Sequence, residues 1–413
     1  MAETLDMVNE VLNYEAGRFQ KEIYERTVVS SPILTMVKEG DWPAGMGSSI
    51  NVMTWSRMLP ADATTRDAKK PTWSAVSFSA DDPDGPFGGS AGTATGGSCI
   101  PPLTTVPAGF GTKTYNLEQT AIESPNLCVN DLRNSFETEQ TLKAMVNALK
   151  DVTKWVLVNK IRDLFRSICT VQVLVSAQNG AAQSTTMPSG SGLTPRAPTW
   201  ETFTDLYVQL VQAGASDQGI PKLDGAPIFP LMVGMELSKA LKQQTGYRDD
   251  IRWNKDAVPE LIAALGSMSA PINGFQMVNE ILPDRWNYDG GWVWVPPYTY
   301  ELDAGSNKYV MVANPDYQTA AWEDTFIFHP DVFHLVFPGS ISAAGGGTSF
   351  TPVKYRGEWS WKNIIERGRN PDGTIGYFRG LFMLGGLPIY SEFGAVVRHA
   401  RCRPAPQYAA CAS

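Results

Sequence analysis

The sequence contains little charge and few histidines. Asp, Glu, Lys and Arg make up 18% of its 413 residues, below the roughly 25% typical of soluble domains. The net charge is -8, which argues against a protein that coats nucleic acid through a basic face. Only three histidines are present, so histidine-dependent catalysis has few candidates. Because the cores of subunit interfaces are depleted in charge, the composition favours a chain that buries large surfaces against other subunits.

Long apolar runs and regular cysteine spacings are also missing. No run reaches the ~18 apolar residues that a membrane-spanning helix needs, and the first residues lack the basic and apolar regions of a signal peptide. No pair of cysteines has the spacing of a metal finger or a redox motif. The five cysteines are Cys99, Cys128, Cys169, Cys402 and Cys411. We therefore expect reduced cysteines, folding inside a cell, no bound metal or cofactor, and no membrane contact.

The N-terminal region predicts an amphipathic helix followed by an arm. Residues 3–25 place apolar side chains, among them Phe19 and Ile23, near one helical face, with charged residues on the other. Residues 28–38 predict an extended segment, broken by a Ser-Ser-Pro sequence. Such an arm is either disordered or packed on a neighbouring subunit.

Two strand-like stretches, residues 48–59 and 112–129, flank a long segment without periodicity. Residues 84–111 contain eight Gly and four Pro in 28 positions. A structureless loop of this length is unusual inside a compact domain. We expect a projecting hairpin whose tip is stabilised by another subunit; the alternative is a disordered surface insertion.

The strongest pattern predicts one very long helix over residues 137–168. Apolar residues recur there at helical spacing, no Gly or Pro interrupts them, and Asn130 or Asp131 precedes them as a cap. At ~1.5 Å per residue the helix would extend roughly 48 Å, far beyond the ~11 residues of an average helix. It needs a long partner surface, such as a sheet, because the apolar set does not hold a coiled-coil heptad.

The second half predicts a compact mixed module and then strands. Residues 177–198 predict a loop, after which Thr199 caps a helix that Gly214 ends. The apolar stripe of this helix is Phe203, Leu206, Tyr207, Leu210 and Val211. A strand and two helices are then predicted over residues 228–233, 235–243 and 258–265. The later strands are predicted over residues 292–295, 309–312, 325–328, 355–365 and 375–384, the last two forming a hairpin.

Two patterns that suggest chemistry are weak. Ser90 lies in a G-x-S-x-G sequence, but a hydrolase nucleophile needs a strand-to-helix turn there, and the surrounding residues form a Gly-rich loop. His329 and His334 flank Asp331, close to Glu323 and Asp324, and together offer metal ligands. The histidines lack the i, i+4 helical spacing of a zinc site, so we favour hydrogen-bonded histidines at strand ends. No catalytic residue is predicted.

Basic residues decorate the long helix, among them Lys154, Arg162 and Arg166. A nucleic-acid-binding stripe is one interpretation. Acidic residues are interleaved with the basic ones, which favours a solvated face or a face that forms salt bridges with another subunit.

Several stretches resemble one family. They are Trp200-Glu201-Thr202-Phe203, Tyr247-Arg248-Asp249-Asp250-Ile251-Arg252, Phe326-Ile327-Phe328-His329-Pro330-Asp331-Val332-Phe333, Asn370-Pro371-Asp372-Gly373 and His399-Ala400-Arg401-Cys402. Together with the order of elements, they resemble the major capsid proteins of tailed bacteriophages, whose Johnson fold was first seen in the Hong Kong phage head. The resemblance covers nearly the whole chain.

The resemblance implies an α+β fold with named regions. These are an N-arm at residues 1–46, an extended E-loop hairpin at 47–127, the spine helix of the P-domain at 128–172, a compact α/β A-domain at 173–308, and P-domain return strands with the C-terminal segment at 309–413. It implies a non-enzymatic subunit that forms hexamers and pentamers of an icosahedral shell around the phage genome, built in the host cytoplasm. The alternatives are an encapsulin-like nanocompartment shell and, last, a hydrolase using Ser90.

The resemblance also implies partners. They are copies of the same chain, a separate scaffolding protein, a portal at one vertex, a decoration or cement protein, and packaged double-stranded DNA without sequence-specific contact. Some relatives weld subunits through Lys–Asn bonds, and Lys69 and Lys70 lie in the expected E-loop, although lysines there are ordinary. The residues expected at assembly interfaces are Phe19, Ile23, Lys69, Lys70, Phe87, Phe110, Lys154, Arg162 and Arg166.

Overall fold

The computed structural model divides the chain into two compact units, Gly47–Asn116 and the combined segments Met1–Met46 and Leu117–Ser413. The structure describes residues 33, 36–40, 42, 49–55, 110–124, 127–128, 138–215, 220, 222–223, 226–244, 274–303, 308–337, 358–363, 375–404 and 409–411. Strands predominate in this part of the chain, as expected for an α+β protein with few helices.

The helices are α1 (Thr138–Ile168), α2 (Trp200–Gln212), α3 (Met235–Gln243) and α4 (Pro315–Thr319). The strands before α3 are β1 (Lys38–Glu39), β2 (Ser49–Trp55), β3 (Phe110–Asn116), β4 (Glu118–Glu123), β5 (Leu127–Cys128), β6 (Gln172–Ser176), β7 (Gly180–Ser184), β8 (Lys222–Leu223), β9 (Ala226–Pro227) and β10 (Phe229–Gly234). The strands after it are β11 (Phe275–Glu280), β12 (Arg285–Tyr288), β13 (Trp292–Val295), β14 (Tyr298–Asp303), β15 (Lys308–Ala313), β16 (Trp322–Ile327), β17 (Phe333–Val336), β18 (Glu358–Asn363), β19 (Ile375–Pro388), β20 (Ala395–Ala400), β21 (Cys402–Pro404) and β22 (Ala409–Cys411).

The smaller unit contains an antiparallel ribbon of β2 and β3. Its register runs from Ser49 opposite Asn116 to Trp55 opposite Phe110. The Thr114 hydroxyl donates to the Asn51 side-chain oxygen at 2.6 Å across the ribbon. The two strand predictions are therefore confirmed in part, while the Gly-rich segment between them, with Ser90, lies outside the described residues.

The larger unit contains an eight-stranded sheet in the order β11-β10-β16-β20-β6-β7, with β12 paired to β16 and β13 paired to β12. Most neighbours are antiparallel, but β10 runs parallel to β11 and β20 parallel to β6. Every residue of β10, β16 and β20 is buried. The sheet joins strands that the sequence assigned to two regions, 173–308 and 309–413, so the division at residue 308 falls inside one packed layer.

A second sheet of six strands is organised around the 14-residue strand β19. The long strand β19 pairs in antiparallel fashion with β17, β18, β4 and β5. β1 pairs with β17 in parallel. The predicted hairpin of residues 355–365 and 375–384 is confirmed as β18 and β19. Because β4 and β5 pair with β19, residues 117–127 belong to the larger unit and not to the hairpin unit in which we expected them.

The long helix α1 is confirmed almost to the residue. Its buried face joins the main core, with Ile161 and Phe165 fully enclosed. The Phe165 ring packs against Phe326, Phe328 and Phe333, at centroid distances of 5.8, 4.5 and 6.3 Å. These rings come from β16, from the residue after it and from β17, so one side chain ties the helix to strands of both sheets.

The predicted helix after Thr199 is also confirmed, including its cap. The Thr199 hydroxyl accepts from the Thr202 backbone N–H at 3.3 Å, and the Thr202 hydroxyl accepts from the Thr199 backbone N–H at 3.4 Å. This reciprocal arrangement is a capping box formed by Thr in place of the usual Glu. The helix ends before Gly214, whose φ of +96° only glycine adopts easily.

The structure corrects two segment predictions. Part of the loop predicted at residues 177–198 is the strand β7, which pairs with β6 after a turn that ends at Gly180, φ +62°. Its sequence, Gly-Ala-Ala-Gln-Ser, lacks strand formers because it lies at the exposed edge of the sheet. In the predicted extended arm, Ile33 and Met36 are helical and buried in the chain's own core, not against another subunit. The helix predicted at 258–265 lies outside the described residues.

Cys402 is buried and disulfide-bonded, and its backbone pairs with that of Cys411 across β21 and β22. This contradicts the expectation of reduced cysteines. Cys169 is free and buried, and burial raises the pKa of its thiol to about 12. Over the described residues, none of the helices is long and apolar enough to cross a membrane.

Candidate assembly surfaces

The C-terminal turns of α1 are joined to the eight-stranded sheet by buried ion pairs. Arg162 binds Asp284 at 3.0 Å and Glu280 at 2.9 Å. Arg166 binds Asp284 and Asp324 on the sheet side and Asp163 on its own helix. The Arg162 side chain is only 4% exposed. A buried charge is stable only when it is paired, so this cluster fixes the position of the helix on the sheet.

Asp324 is the centre of the cluster. Its two oxygens accept from Arg398 Nε at 2.7 Å and Nη2 at 2.9 Å, and from the Trp286 indole N–H at 2.8 Å. Burial opposes ionisation of Asp324, but Arg398 and Arg166 outweigh it, so the pKa of this carboxyl is lowered. The Arg398 guanidinium also lies over the rings of Trp286 and Trp292, at 4.0 and 4.4 Å. We call Arg162, Arg166, Asp284, Asp324 and Arg398 the helix–sheet clamp.

The clamp corrects the expectation for Arg162 and Arg166. We expected both on a solvated or inter-subunit face of α1, but both lie inside the chain and bind its own carboxylates. Lys154, two turns earlier, is half-buried and also engaged in an interaction. Phe110 lies in β3, and Phe19, Ile23, Lys69, Lys70 and Phe87 lie outside the described residues.

The suggested metal ligands form hydrogen bonds instead of converging on one point. His329 Nε2 lies 3.1 Å from the Ala215 carbonyl oxygen, and its Nδ1 accepts from the Asp331 backbone N–H. Asp331 binds Lys38 at 2.5 Å and His334 at 3.2 Å. Burial would raise the pKa of Asp331, but its bonds with His334 and Lys38 lower it to about 2. The prediction of hydrogen-bonded histidines is confirmed, and no metal-ligating cluster occurs within the described ranges.

Glu323 occupies a second buried ion cluster beside the clamp. It accepts from Arg285 at 3.3 Å, and Arg285 also approaches Glu236 at 3.4 Å. Burial raises the pKa of Glu323 to about 7, although Arg285 opposes the shift. Glu236 also binds Arg401 at 3.4 Å, so this carboxylate of α3 is held by two guanidinium groups.

His399 gives a prediction of pH-dependent stability. Its Nδ1 lies 2.8 Å from the Ala400 carbonyl oxygen, which only accepts, so Nδ1 carries the proton and Nε2 faces the Thr325 hydroxyl at 2.8 Å. Burial lowers the pKa of His399 to about 4, although Asp324 opposes this shift. Its contribution to stability is therefore present above the ordinary pKa of 6.5 and is lost as the pH falls to about 4.

We expect the free energy of unfolding of the wild type, minus that of His399→Gln, to fall by about 3 kcal/mol between pH ~7 and pH ~4 in urea titrations. The contribution of Glu323 to the free energy of unfolding changes with pH in the opposite direction over this range, because burial raises its pKa above 4.5. The wild type minus Glu323→Gln should therefore change in the other direction. Parallel pH profiles of the wild type and His399→Gln would contradict the prediction.

The outer face of α1 carries apolar side chains that the larger unit leaves exposed. Trp155 is 40% exposed, and Val152, one turn before it, is equally exposed. The Trp155 ring lies 6.4 Å from that of Trp294 on β13. Both rings line a groove of about 390 Å³ together with Val156, Asn159, Lys160, Asp163, Asp284 and Trp286. Val152 fits the apolar helical spacing of residues 137–168, so its exposure was missed; a Trp among the charged positions of the helix was the sequence signal of this surface.

Two other exposed apolar surfaces lie on the larger unit. The hairpin of β14 and β15 pairs with neither large sheet, and Tyr298, Leu302 and Met311 on it are exposed. Exposed Met235 and Ile281 follow directly after the parallel strands β10 and β11. These positions were missed as well, because sequence alone does not show which strand faces lack a covering layer.

Comparison with known proteins gives similarity only at the level of solved structures. No family model and no curated protein matches the sequence. The chain is similar to the capsid of Ralstonia phage GP4, with 11% identity over 91% of this chain and 90% of that one and a TM-score of 0.45. For the capsid of cyanophage Pam1 the identity is 10%, over 90% and 93% of the chains, with a TM-score of 0.46.

A third similar structure is the capsid of Helicobacter pylori bacteriophage KHP30, with 8% identity over 90% and 92% of the chains and a TM-score of 0.44. All three are phage capsids. Identities this low and TM-scores below 0.5 transfer no residue roles to this chain.

Proposed function

We propose that this chain is the major capsid protein of a tailed bacteriophage. It is a structural subunit, not an enzyme, and it assembles with copies of itself into the shell that encloses the genome. In this proposal α1 is the spine helix, the unit Gly47–Asn116 belongs to the E-loop, and the subunits form hexamers and pentamers of an icosahedral head. The fold is then of the Johnson type.

The observation that carries the proposal is the exposed apolar face of α1. Val152 and Trp155 lie in the middle of a 31-residue helix, next to a groove with two further tryptophans. Exposed apolar side chains that stand singly are ordinary, but an aromatic cluster at a groove marks an interaction site. Tryptophan is also enriched where protein interfaces bind most strongly.

The helix–sheet clamp supports a structural role. Buried ion pairs add little net stability compared with apolar packing, but they accept only one arrangement of the groups that they join. A shell subunit needs such a fixed geometry, because small changes of angle accumulate over many copies. The clamp holds α1 in one position on the sheet, and the outer face of α1 therefore meets a neighbour at a defined angle.

The net charge of the chain supports the proposed content of the shell. The net charge of -8 suits a container that does not bind its packaged DNA tightly. The partners proposed are a separate scaffolding protein, a portal at one vertex and a decoration protein, and the location is the virion after assembly in the host cytoplasm.

Truncating Trp155 tests the proposal. We expect the expressed wild-type chain to sediment as discrete oligomers or hollow particles, visible by electron microscopy. Trp155→Ala should weaken this association by roughly tenfold or more, as for a central aromatic residue of an interface. Its free energy of unfolding should fall by about 1–2 kcal/mol, because the side chain is 40% exposed and its truncation removes the contact with Trp294 without opening the main core.

The matched control is Val208→Ala, which truncates a similarly exposed apolar side chain on α2 and should assemble normally. A wild-type chain that remains monomeric at every concentration reached would refute the proposed function. Assembly of Trp155→Ala at wild-type strength would refute the role of this face of α1.

A further inference from the structure

The strands β21 and β22 form a small antiparallel pair that we call the C-terminal ribbon. Among the described strands, they pair only with each other and join neither large sheet. Each strand has three residues, and Pro404 in β21 has no backbone N–H to donate. An isolated two-stranded ribbon is at best marginally stable in water. The C-terminal ribbon therefore needs further contacts to keep its place.

The C-terminal ribbon packs on α3. Both of its strands contact this helix, which also contacts β10 and β11 of the eight-stranded sheet. Leu237 and Leu241 of α3 are fully buried. Directly before the ribbon, Arg401 binds Glu236 in the first turn of α3 at 3.4 Å. The helix α3 therefore packs against both the sheet and the ribbon, and the ribbon forms part of its cover.

The register of the C-terminal ribbon places two cysteines opposite each other. Cys402 is fully buried and disulfide-bonded, and Cys411 is its direct partner in the register. Cys169 is free. Directly opposite residues of antiparallel strands have Cα atoms ~4.5–5.5 Å apart, and a disulfide needs Cα atoms ~4.4–6.8 Å apart. The backbone thus brings Cys411 within bonding range of Cys402.

We propose that Cys402 and Cys411 form a redox-dependent latch, which holds the C-terminal ribbon on α3 when their disulfide is closed and loosens it when both thiols are reduced. A small-molecule disulfide is the oxidant: the two thiols lose two protons and two electrons, their S–S bond forms, and the oxidant leaves as two thiols. An excess of thiol reverses the exchange. The hold of the ribbon on α3 thus depends on whether the surroundings are reducing or oxidising.

The latch does not depend on the proposed function, because it concerns one bond within one chain. Its failure would leave the shell role untouched, and a chain that never assembles would leave the latch untouched.

Peptide mass spectrometry tests the pairing. The protein is treated with oxidised glutathione, unfolded in iodoacetamide to label free thiols, and digested with trypsin. Because trypsin does not cleave before Pro404, the peptide that begins at Cys402 also contains Cys411. We expect this peptide to carry no label and to be about 2 Da lighter than after reduction, the mass of the two hydrogens lost. A label on either cysteine, or a bond to any other peptide, would refute the pairing.

Hydrogen exchange tests the latch. Reducing the wild type with dithiothreitol should raise the exchange rates of the backbone amides of β22 and α3 by roughly tenfold or more, because the closed loop no longer restricts local opening. The amides of β16, inside the eight-stranded sheet, should exchange at unchanged rates. Cys411→Ser, which cannot close the bond, is the matched control. It should exchange at the rates of the reduced wild type, with or without dithiothreitol.

Each outcome of the exchange experiment decides for or against the latch. Equal exchange of β22 and α3 in the oxidised wild type and in Cys411→Ser would show that the bond does not hold the ribbon. A response of Cys411→Ser to dithiothreitol would place the reducible group elsewhere and also overturn the latch. Faster exchange confined to β22 and α3, with no response of Cys411→Ser to dithiothreitol, supports it.

Discussion

Replacing Asp324 by Asn is expected to lower the free energy of unfolding by about 3–5 kcal/mol. The carboxylate is fully buried and binds Arg398 through both oxygens, and it also accepts from Arg166 and Trp286. Asparagine has nearly the same shape but no charge, so the buried Arg398 would lose the carboxylate that it binds through two bonds, while Arg166 would keep Asp284 and Asp163. Urea denaturation followed by circular dichroism measures the change.

Asp163→Asn is the matched control, because Asp163 binds the same Arg166 at 2.6 Å but is 65% exposed. Exposed ion pairs contribute little, so its effect should stay below about 1 kcal/mol. Equal losses in the two variants would show that burial of Asp324 is not what makes the clamp important. If Asp324→Asn unfolds at the same urea concentration as the wild type, the clamp does not fix α1 on the sheet.

The elements with strong local patterns could be predicted from the sequence. α1 has uninterrupted apolar spacing, and α2 combines a Thr cap, an apolar stripe and a terminal Gly214. These signals lie within a few residues of the elements that they specify. β7 was missed for the same reason, because its polar, Gly-containing sequence carries no local strand signal and only pairing with β6 makes it a strand.

The clamp could not be predicted, because its partners are distant in sequence. Arg162 reaches Asp284, 122 positions later, and Arg166 reaches Asp324, 158 positions later. The only partner of Arg166 visible from the sequence is Asp163, at i−3 on the same helix, and that pair suggests a solvated face. Interleaved charges on a helix therefore do not distinguish a solvated face from one that is buried against distant carboxylates.

The sequence also did not predict which apolar residues are exposed. Val152 fits the helical spacing of the core residues, yet it is 41% exposed. Alternation along residues 298–302 indicates a strand with one apolar face. It does not show whether another layer of the same chain covers that face, and only the tertiary structure reveals that β14 and β15 stand apart.

The clamp and the aromatic core act at the same end of α1. Arg162 and Arg166 face the sheet carboxylates, and Phe165 lies between them in sequence and points into the core. The ion pairs specify where the helix lies, while the ring supplies the apolar area that holds it there. The proposed assembly through the outer face of α1 would then depend on both.

Phe165→Ala is expected to lower the free energy of unfolding by about 3–5 kcal/mol, through lost apolar burial and the cavity left behind. The ring is fully buried and contacts three other phenylalanines, and Gly394 approaches it so closely that a Cβ there would lie 2.7 Å from its edge.

Phe165→Leu keeps most of the apolar volume and should cost only about 1 kcal/mol. Because α1 is then still held on the sheet, Phe165→Leu should assemble like the wild type. Phe165→Ala should unfold at a lower urea concentration and should no longer assemble. A Phe165→Ala chain of wild-type stability would show that the helix is positioned by the ion pairs alone.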